Sequence, residues 1–264
     1  MTVRKRFGQH FLERPWVDKI ASAIAPTAAD VFLEIGPGRG ALTDALLAGG
    51  STVHAVEIDR DLAAGLRARG LERLRVHEGD FLDVPRATWY DEQRPMRVAA
   101  NLPYNLSTPI LVRLLAEARA GVLTDATLML QKEVVDRLTA SPGSSDYGPL
   151  AIAVQIDADV RRLFVLPPGA FRPPPAVHSA VVRLDFRPAA VAIADRDAFD
   201  ALVRHLFTMR RKTLGRALRP LAERHGLPVD RWLAGAGLEA GQRAEQLDIA
   251  TLARLAAARP QPAS

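Results

Sequence analysis

Between residues 30 and 185 the apolar positions follow two alternating rhythms. Short, nearly continuous apolar runs stand at 31–35, 52–58, 74–77 and 97–100, and another begins at 127–130. Between them, at 41–47, 62–69 and 108–118, apolar residues recur at helical spacing. Continuous runs mark strands buried on both faces, and intervening helices supply the crossovers of a parallel sheet. The pattern therefore predicts an α/β domain whose sheet is covered on both sides. It then changes: 152–166 and 179–186 read as two long strands with no helix between them, separated by the proline-rich loop 167–175. That predicts a hairpin-like pair closing one edge of the sheet. Past Arg187 the strand signals stop. The remainder is rich in Ala, Leu and Arg, with turn signals at Gly226-Leu227-Pro228 and at 235–237, and reads as a small helical domain. Residues 259–264 lack an apolar face and read as a short disordered tail. Two domains follow, 1–187 and 188–264, with no internal repeat.

The first strand runs into Glu34-Ile35-Gly36-Pro37-Gly38-Arg39-Gly40 before a helix. Glycines there let the backbone approach a ligand, and the helix N-terminus offers free N–H groups. The spacing is neither that of a dinucleotide fingerprint nor that of a P-loop. Two acids extend the pattern. Glu57 closes the second strand and Asp80 follows the third. Ligands of open α/β sheets bind beyond the carboxyl ends of the strands. A carboxylate at Glu57 suits the two hydroxyls of a ribose, and one at Asp80 suits the amino group of an adenine. Glu57 alone fits NAD equally well; the shortened glycine turn, with Gly36 and Gly38 nearest the ligand, favours S-adenosylmethionine.

The fourth strand ends in Asn101-Leu102-Pro103-Tyr104-Asn105. A turn of this Asn-x-Pro-Tyr kind is the signature of enzymes that methylate an amino group conjugated to a ring. The lone pair of adenine N6 is delocalised into the purine, so the amine is a poor nucleophile. Orientation and acceptors help it more than a strong base would. The Asn101 side-chain carbonyl and the Leu102 main-chain carbonyl can accept the two N6 protons and draw the nitrogen towards tetrahedral geometry. Pro103 stiffens the turn. Tyr104 can stack on a flipped-out base. Phe171, in the proline-restricted loop, is the candidate for a second stacking face.

Composition narrows the chemistry. The absence of cysteine excludes disulfides, thiolate-zinc sites and a cysteine nucleophile. The six histidines are scattered without metal-ligand spacing, so no metal is expected. No stretch approaches the roughly 18 apolar residues of a membrane span. Glu13, Arg14 and Asp18 interrupt what would have to be the apolar core of a signal segment, which points to a cytoplasmic protein. The net charge is +5, and between residues 196 and 224 eight bases stand against three acids. A near-neutral body with one basic segment fits a polyanion, with Arg210, Arg211 and Lys212 as the candidate RNA contacts.

These motifs, with Arg4-Lys5-Arg6-Phe7-Gly8-Gln9-His10-Phe11-Leu12, Arg210-Arg211-Lys212-Thr213-Leu214 and Arg243-Ala244-Glu245-Gln246-Leu247, resemble the small-subunit ribosomal RNA adenine N6,N6-dimethyltransferases (the KsgA/RsmA family) over nearly the whole chain. The resemblance implies a Rossmann-like, seven-stranded class I S-adenosylmethionine-dependent methyltransferase fold with a small C-terminal all-α domain that binds RNA. It implies transfer of four methyl groups to two adjacent adenosines in the 3′-terminal hairpin of 16S rRNA, within a small-subunit precursor, by a monomer. By motif match, cofactor contacts fall at His10, Leu12, Gly36, Glu57, Asp80 and Asn101. His10 stands where many members carry asparagine; both can donate to the methionine carboxylate. The 23S rRNA adenine dimethyltransferases of macrolide resistance share the cofactor site and a similar turn, but 102–109 and the two C-terminal motifs favour the small-subunit family. A ribosome-assembly or transcription factor on the same fold would not need the intact Asn101 and cofactor positions.

Overall fold

The computed structural model describes residues 10–90, 94–224 and 226–259. In chain order these form β1 (Phe11–Leu12), α1 (Arg14–Ile24), β2 (Val31–Ile35), α2 (Ala41–Ala48), β3 (Thr52–Glu57), α3 (Arg60–Arg67), β4 (Leu74–Glu78) and α4 (Arg86–Trp89). There follow β5 (Met96–Asn101), α5 (Ser107–Arg119), β6 (Leu123–Gln131), α6 (Lys132–Leu138), α7 (Pro149–Gln155), β7 (Ala158–Leu166), β8 (Phe171–Arg172) and β9 (Ser179–Phe186). Helices α8 (Arg196–Thr208), α9 (Leu214–Arg224), α10 (Val229–Ala236) and α11 (Ile249–Ala257) complete the chain. The expected disordered tail falls, apart from Arg259, outside the described residues.

The chain divides into two compact units. The first takes the residues up to Val135 together with Asp157–Pro188. Its sheet has the strand order β4-β3-β2-β5-β6-β9-β7. The first five of these are parallel, and β9 runs antiparallel to both β6 and β7. From β2 the chain winds outward through β3 and β4, then returns to place β5 on the other side of β2. That reversal opens a crevice beyond the carboxyl ends of β2 and β5, the place where such sheets bind ligands. Phe32, Leu33, Val53, Ala55, Val98 and Ala99 are fully buried, which explains why the central strands read as continuous apolar runs.

The second unit is Asp136–Ile156 together with the residues from Ala189 onward. Its core gathers Phe199, Leu206, Leu214, Leu218, Trp232 and Leu252 around Tyr147 and Ile152. The Trp232 indole N–H donates to the Leu255 carbonyl at 2.8 Å, which satisfies the polar atom of the largest buried ring there. Gly237, at φ +69, closes α10 in the left-handed region.

Two expectations need correction. Residues 152–166 are not one strand: Pro149–Gln155 is helix, and the strand begins at Ala158. A short run of Ile, Ala and Val cannot be assigned by periodicity alone, and Gly148-Pro149, a helix start with proline in the first turn, decides it. The same stretch corrects the domain limits, because Asp136–Ile156 belongs to the second unit rather than to a first domain of residues 1–187.

Candidate cofactor and base-methylation site

At the end of β2 the chain turns through Gly36, Gly38 and Gly40, all at positive φ. Two of them also sit tightly against neighbouring side chains. A Cβ on Gly38 would lie 3.2 Å from the Phe11 ring, and one on Gly40 would lie 2.7 Å from the Leu66 side chain. Gly38 thus lets β1 close over the turn, and Gly40 lets α3 pack behind it. The Arg39 guanidinium carbon sits 4.3 Å from the centroid of the Phe11 ring, a cation–π contact that helps hold the ring.

Glu57 ends β3 with 3% of its surface exposed. One carboxylate oxygen accepts from Gly38 N–H at 2.9 Å and the other from Asp59 N–H at 2.8 Å. Each oxygen keeps a lone pair for a ligand hydroxyl. Burial pushes this carboxyl above its ordinary range, while the N–H groups of Asp59 and Gly38 pull it back. Glu34, inside β2, is also buried and accepts from the Thr43 hydroxyl at 2.6 Å. Burial pushes it up to about 8 against that hydrogen bond. Asp80 stands beyond β4, where its Oδ1 accepts from Leu82 N–H at 2.9 Å, and the preceding Gly79 N–H donates to the Glu57 carbonyl at 2.9 Å.

β5 delivers Asn101 to the crevice. Its Nδ2 donates to the His10 carbonyl at 3.0 Å, so its Oδ1 is left as an acceptor. Leu102 is anchored through its N–H to the Met129 carbonyl at 3.2 Å. The Tyr104 hydroxyl is 2.7 Å from the Ser179 hydroxyl, and its ring stacks on His10 with centroids 6.0 Å apart. His10 Nδ1 donates to the Pro173 carbonyl at 2.8 Å; a carbonyl only accepts, so Nδ1 carries the proton.

One cavity of about 410 Å³ is lined by His10, Leu12, Gly36, Gly38, Glu57, Asn101, Leu102 and Tyr104. Eight of the positions anticipated from sequence therefore share one space. Its size falls within the range of small-molecule and cofactor sites, roughly 300–1,000 Å³. Glu34 and Glu57 both line the cavity. Asp80 is not part of the lining. Phe171 is not a stacking face: its side chain is 1% exposed and packs with Ile20, Leu166 and Val181. The antiparallel register of β8 with β1 sets Phe171 opposite Leu12 and Arg172 opposite Phe11, and alternation turns the phenylalanine inward. Its burial, worth about 1.5–3 kcal/mol, anchors the strap that covers the cavity. Sequence reasoning missed Glu34, Arg39 and Ile58 among the lining residues. Ile58 had a signal, since an isoleucine between Glu57 and Asp59 at a strand end is an apolar face set among acids; it is 42% exposed.

In the second unit Arg210 is fully engaged. Its Nε donates to Glu245 at 2.5 Å, and its two terminal nitrogens donate to the Ser145 and Ser144 carbonyls at 2.6 and 3.0 Å. It is a brace between the loop before α7 and the turn before α11, not a free RNA contact. Arg211 and Lys212 are exposed and make no ion pair among the described residues.

A glycine turn at the switch point of a mostly parallel sheet, an acid ending the next strand and an Asn-Leu-Pro-Tyr turn at the end of β5 define an S-adenosylmethionine-dependent methyltransferase. A family profile described as "Ribosomal RNA adenine dimethylase" matches residues 1–254. The chain is 46% identical over 256 residues to "Ribosomal RNA small subunit methyltransferase A" of Alcanivorax borkumensis, covering 96% of this chain and 89% of that protein. The protein of the same name from Xanthomonas oryzae pv. oryzae is 46% identical over 261 residues, covering 97% and 96%. Among solved structures, a dimethyladenosine transferase from Plasmodium falciparum superposes with a TM-score of 0.78 at 25% identity, over 93% of this chain and 96% of that one. The 23S rRNA methyltransferase ErmE shares the fold, with a TM-score of 0.68 at 24% identity over 94% and 98%. The chain belongs to the ribosomal RNA adenine dimethylase family.

Proposed function

We propose that this chain dimethylates N6 of two adjacent adenosines in the 3′-terminal hairpin of 16S rRNA, within a small-subunit precursor, and works as a monomer in the cytoplasm. The names of the relatives with 46% identity support the small subunit as target. No helix of the described residues is long and apolar enough to cross a membrane.

The observation that carries the chemistry is the orientation of Asn101. Because its Nδ2 is taken by the His10 carbonyl, its oxygen is held ready for one N6 proton. The Leu102 carbonyl, at the end of a residue pinned to Met129, takes the other. S-Adenosylmethionine supplies an electrophilic methyl group when bound. Glu57 would hold the ribose, Ile58 would offer an apolar face to the adenine and Asp80 would accept from its amino group; His10 and the backbone at Leu12, Gly36 and Gly38 would border the methionine end. Tyr104, fixed by Ser179, stacks on the target base. The N6–methyl bond would form as the methyl–sulfur bond breaks and leaves a neutral thioether; N6 would turn tetrahedral and lose its extra proton to solvent, and the two acceptors stabilise that geometry more than the planar ground state. Arg211 and Lys212 of the helical unit contribute phosphate contacts.

The test is to delete the gene, complement it with the natural chain or with Asn101→Ala, and map N6,N6-dimethyladenosine in both large ribosomal RNAs. Deletion should remove the paired marks from 16S rRNA, and only the natural chain should restore them. Marks lost from 23S rRNA instead would move the substrate to the other subunit. Restoration by Asn101→Ala would take the turn out of the chemistry.

A further inference from the structure

Arg113 lies nearly two turns into α5, the helix that starts directly behind the Asn-Leu-Pro-Tyr turn. Its guanidinium donates to the Phe81 carbonyl and, at 2.6 Å, to the Val84 carbonyl. The guanidinium carbon also sits 4.6 Å from the centroid of the Phe81 ring. All three contacts fall on one loop, residues 80–84, which begins with Asp80. The loop is wound tightly about that residue: the Asp83 and Val84 N–H groups donate to the Asp80 carbonyl at 2.9 and 2.8 Å, and Leu82 N–H to its side chain. At its start Gly79 is bonded to Glu57, so the loop stands beside the ribose acid. One turn further along α5, buried Glu117 lies 3.7 Å from Arg113 and 2.5 Å from Arg86. The guanidinium is therefore engaged by the loop and by Glu117 where it stands.

We propose that Arg113 is a positioning residue that sets the direction of the Asp80 carboxylate, so that the helix behind the catalytic turn and the adenine loop form one rigid frame. This rests on reading Asp80 as the acceptor for the cofactor's adenine amino group. With Oδ1 committed to Leu82, only Oδ2 of Asp80 is free of the loop, and the backbone of 80–84 decides where it points. Arginine suits the task because its planar fork reaches two carbonyls while its face covers a ring; lysine can do one of these at a time.

The experiment measures binding of S-adenosylmethionine and of its deaminated analogue, in which the adenine 6-amino group is replaced by oxygen. Single-turnover methylation at saturating cofactor is followed in parallel. The natural chain should prefer the amino form, since a carboxylate accepts from an amino group and repels a carbonyl. In Arg113→Met the preference should collapse, with affinity for S-adenosylmethionine falling by about tenfold, the scale of one charged hydrogen bond removed. Affinity for the analogue should hardly change, and the saturated turnover rate should be kept. Arg113→Lys, which keeps the charge beside Glu117 and serves if the methionine variant does not fold, should fall between the two. A general loss of packing would weaken both ligands alike and lower turnover, and that result would overturn the proposal. Asp80→Asn separates the underlying reading. If it leaves the preference intact, Asp80 is not the adenine acceptor and both ideas fall. If it abolishes the preference while Arg113→Met retains it, Asp80 stands and Arg113 has no positioning role.

Discussion

At the scale of the residue, the site depends on acids held in low-dielectric surroundings, and Glu34 shows the consequence most directly. Its folded-state carboxyl is pushed up to about 8 from an ordinary 4.5, chiefly by burial. The folded chain therefore binds more protons than the unfolded one between those values. The stability this group contributes is complete below the lower value and is lost as pH rises through the upper one. Glu34→Gln, which keeps an acceptor for Thr43 but cannot ionise, should flatten the fall of Tm between pH 5 and pH 8. Glu57 is shifted in the same direction, so some slope should remain. An identical pH profile in Glu34→Gln would mean that Glu34 is ionised in the folded chain. Glu57 and Asn101 were legible in the sequence because strand-end position and motif both mark them. Phe171 was misjudged because its inward turn is imposed by pairing with a strand remote in the sequence. No local signal reports that pairing, since β1 is only two residues long.

At the scale of the element, the glycine turn and the strap over it form one device. Ala41–Ala48 begins right after Gly40, and β1 lies close enough to Gly38 for a methyl group to reach the Phe11 ring. Gly38→Ala should cost about 1–2 kcal/mol for placing an L-residue in the left-handed region. The new methyl group should also lift Phe11 and weaken cofactor binding beyond what the loss of stability explains. Adding Phe11→Leu, which removes the ring atoms in the way, should restore part of the affinity and none of the backbone strain. Calorimetry and Tm on the single and double variants separate the two effects; equal recovery of both, or of neither, would mean that the strap does not cover the cofactor. The parallel strands could be read from sequence because burial on both faces writes continuous apolar runs. The helix at Pro149–Gln155 was missed for the same reason, since a buried helix of seven residues also writes an apolar run.

At the scale of the whole molecule, the charge is distributed by pairing as well as by count. In the first unit Arg97 bridges Asp30 and Asp125, Arg183 bridges Asp125 and Asp185, and Arg161 and Arg187 pair with Asp185 and Asp159. Those arginines stiffen the sheet and present little free charge. In the second unit Arg211, Lys212, Arg216 and Arg219 are exposed with no ion pair among the described residues, so the excess of +5 becomes an accessible surface there. Composition could locate this segment but could not say which of its bases are free, because Arg210 and Arg211 are identical in sequence and opposite in use. That difference makes the RNA reading testable within one tripeptide. Reversing Arg211 and Lys212 to glutamate should weaken RNA binding and flatten its dependence on salt, by about 0.7–0.9 in the log–log slope for each phosphate no longer neutralised. Tm and cofactor affinity should hold. Arg210→Met should do the reverse: it strips donors from the Ser144 and Ser145 carbonyls and leaves Glu245 unpaired, so it should lower the Tm of the second unit while the salt slope stays near its natural value. A slope unchanged by the Arg211 and Lys212 reversals would make this surface a solvated face, and the phosphate-binding groups would have to be sought elsewhere on the chain.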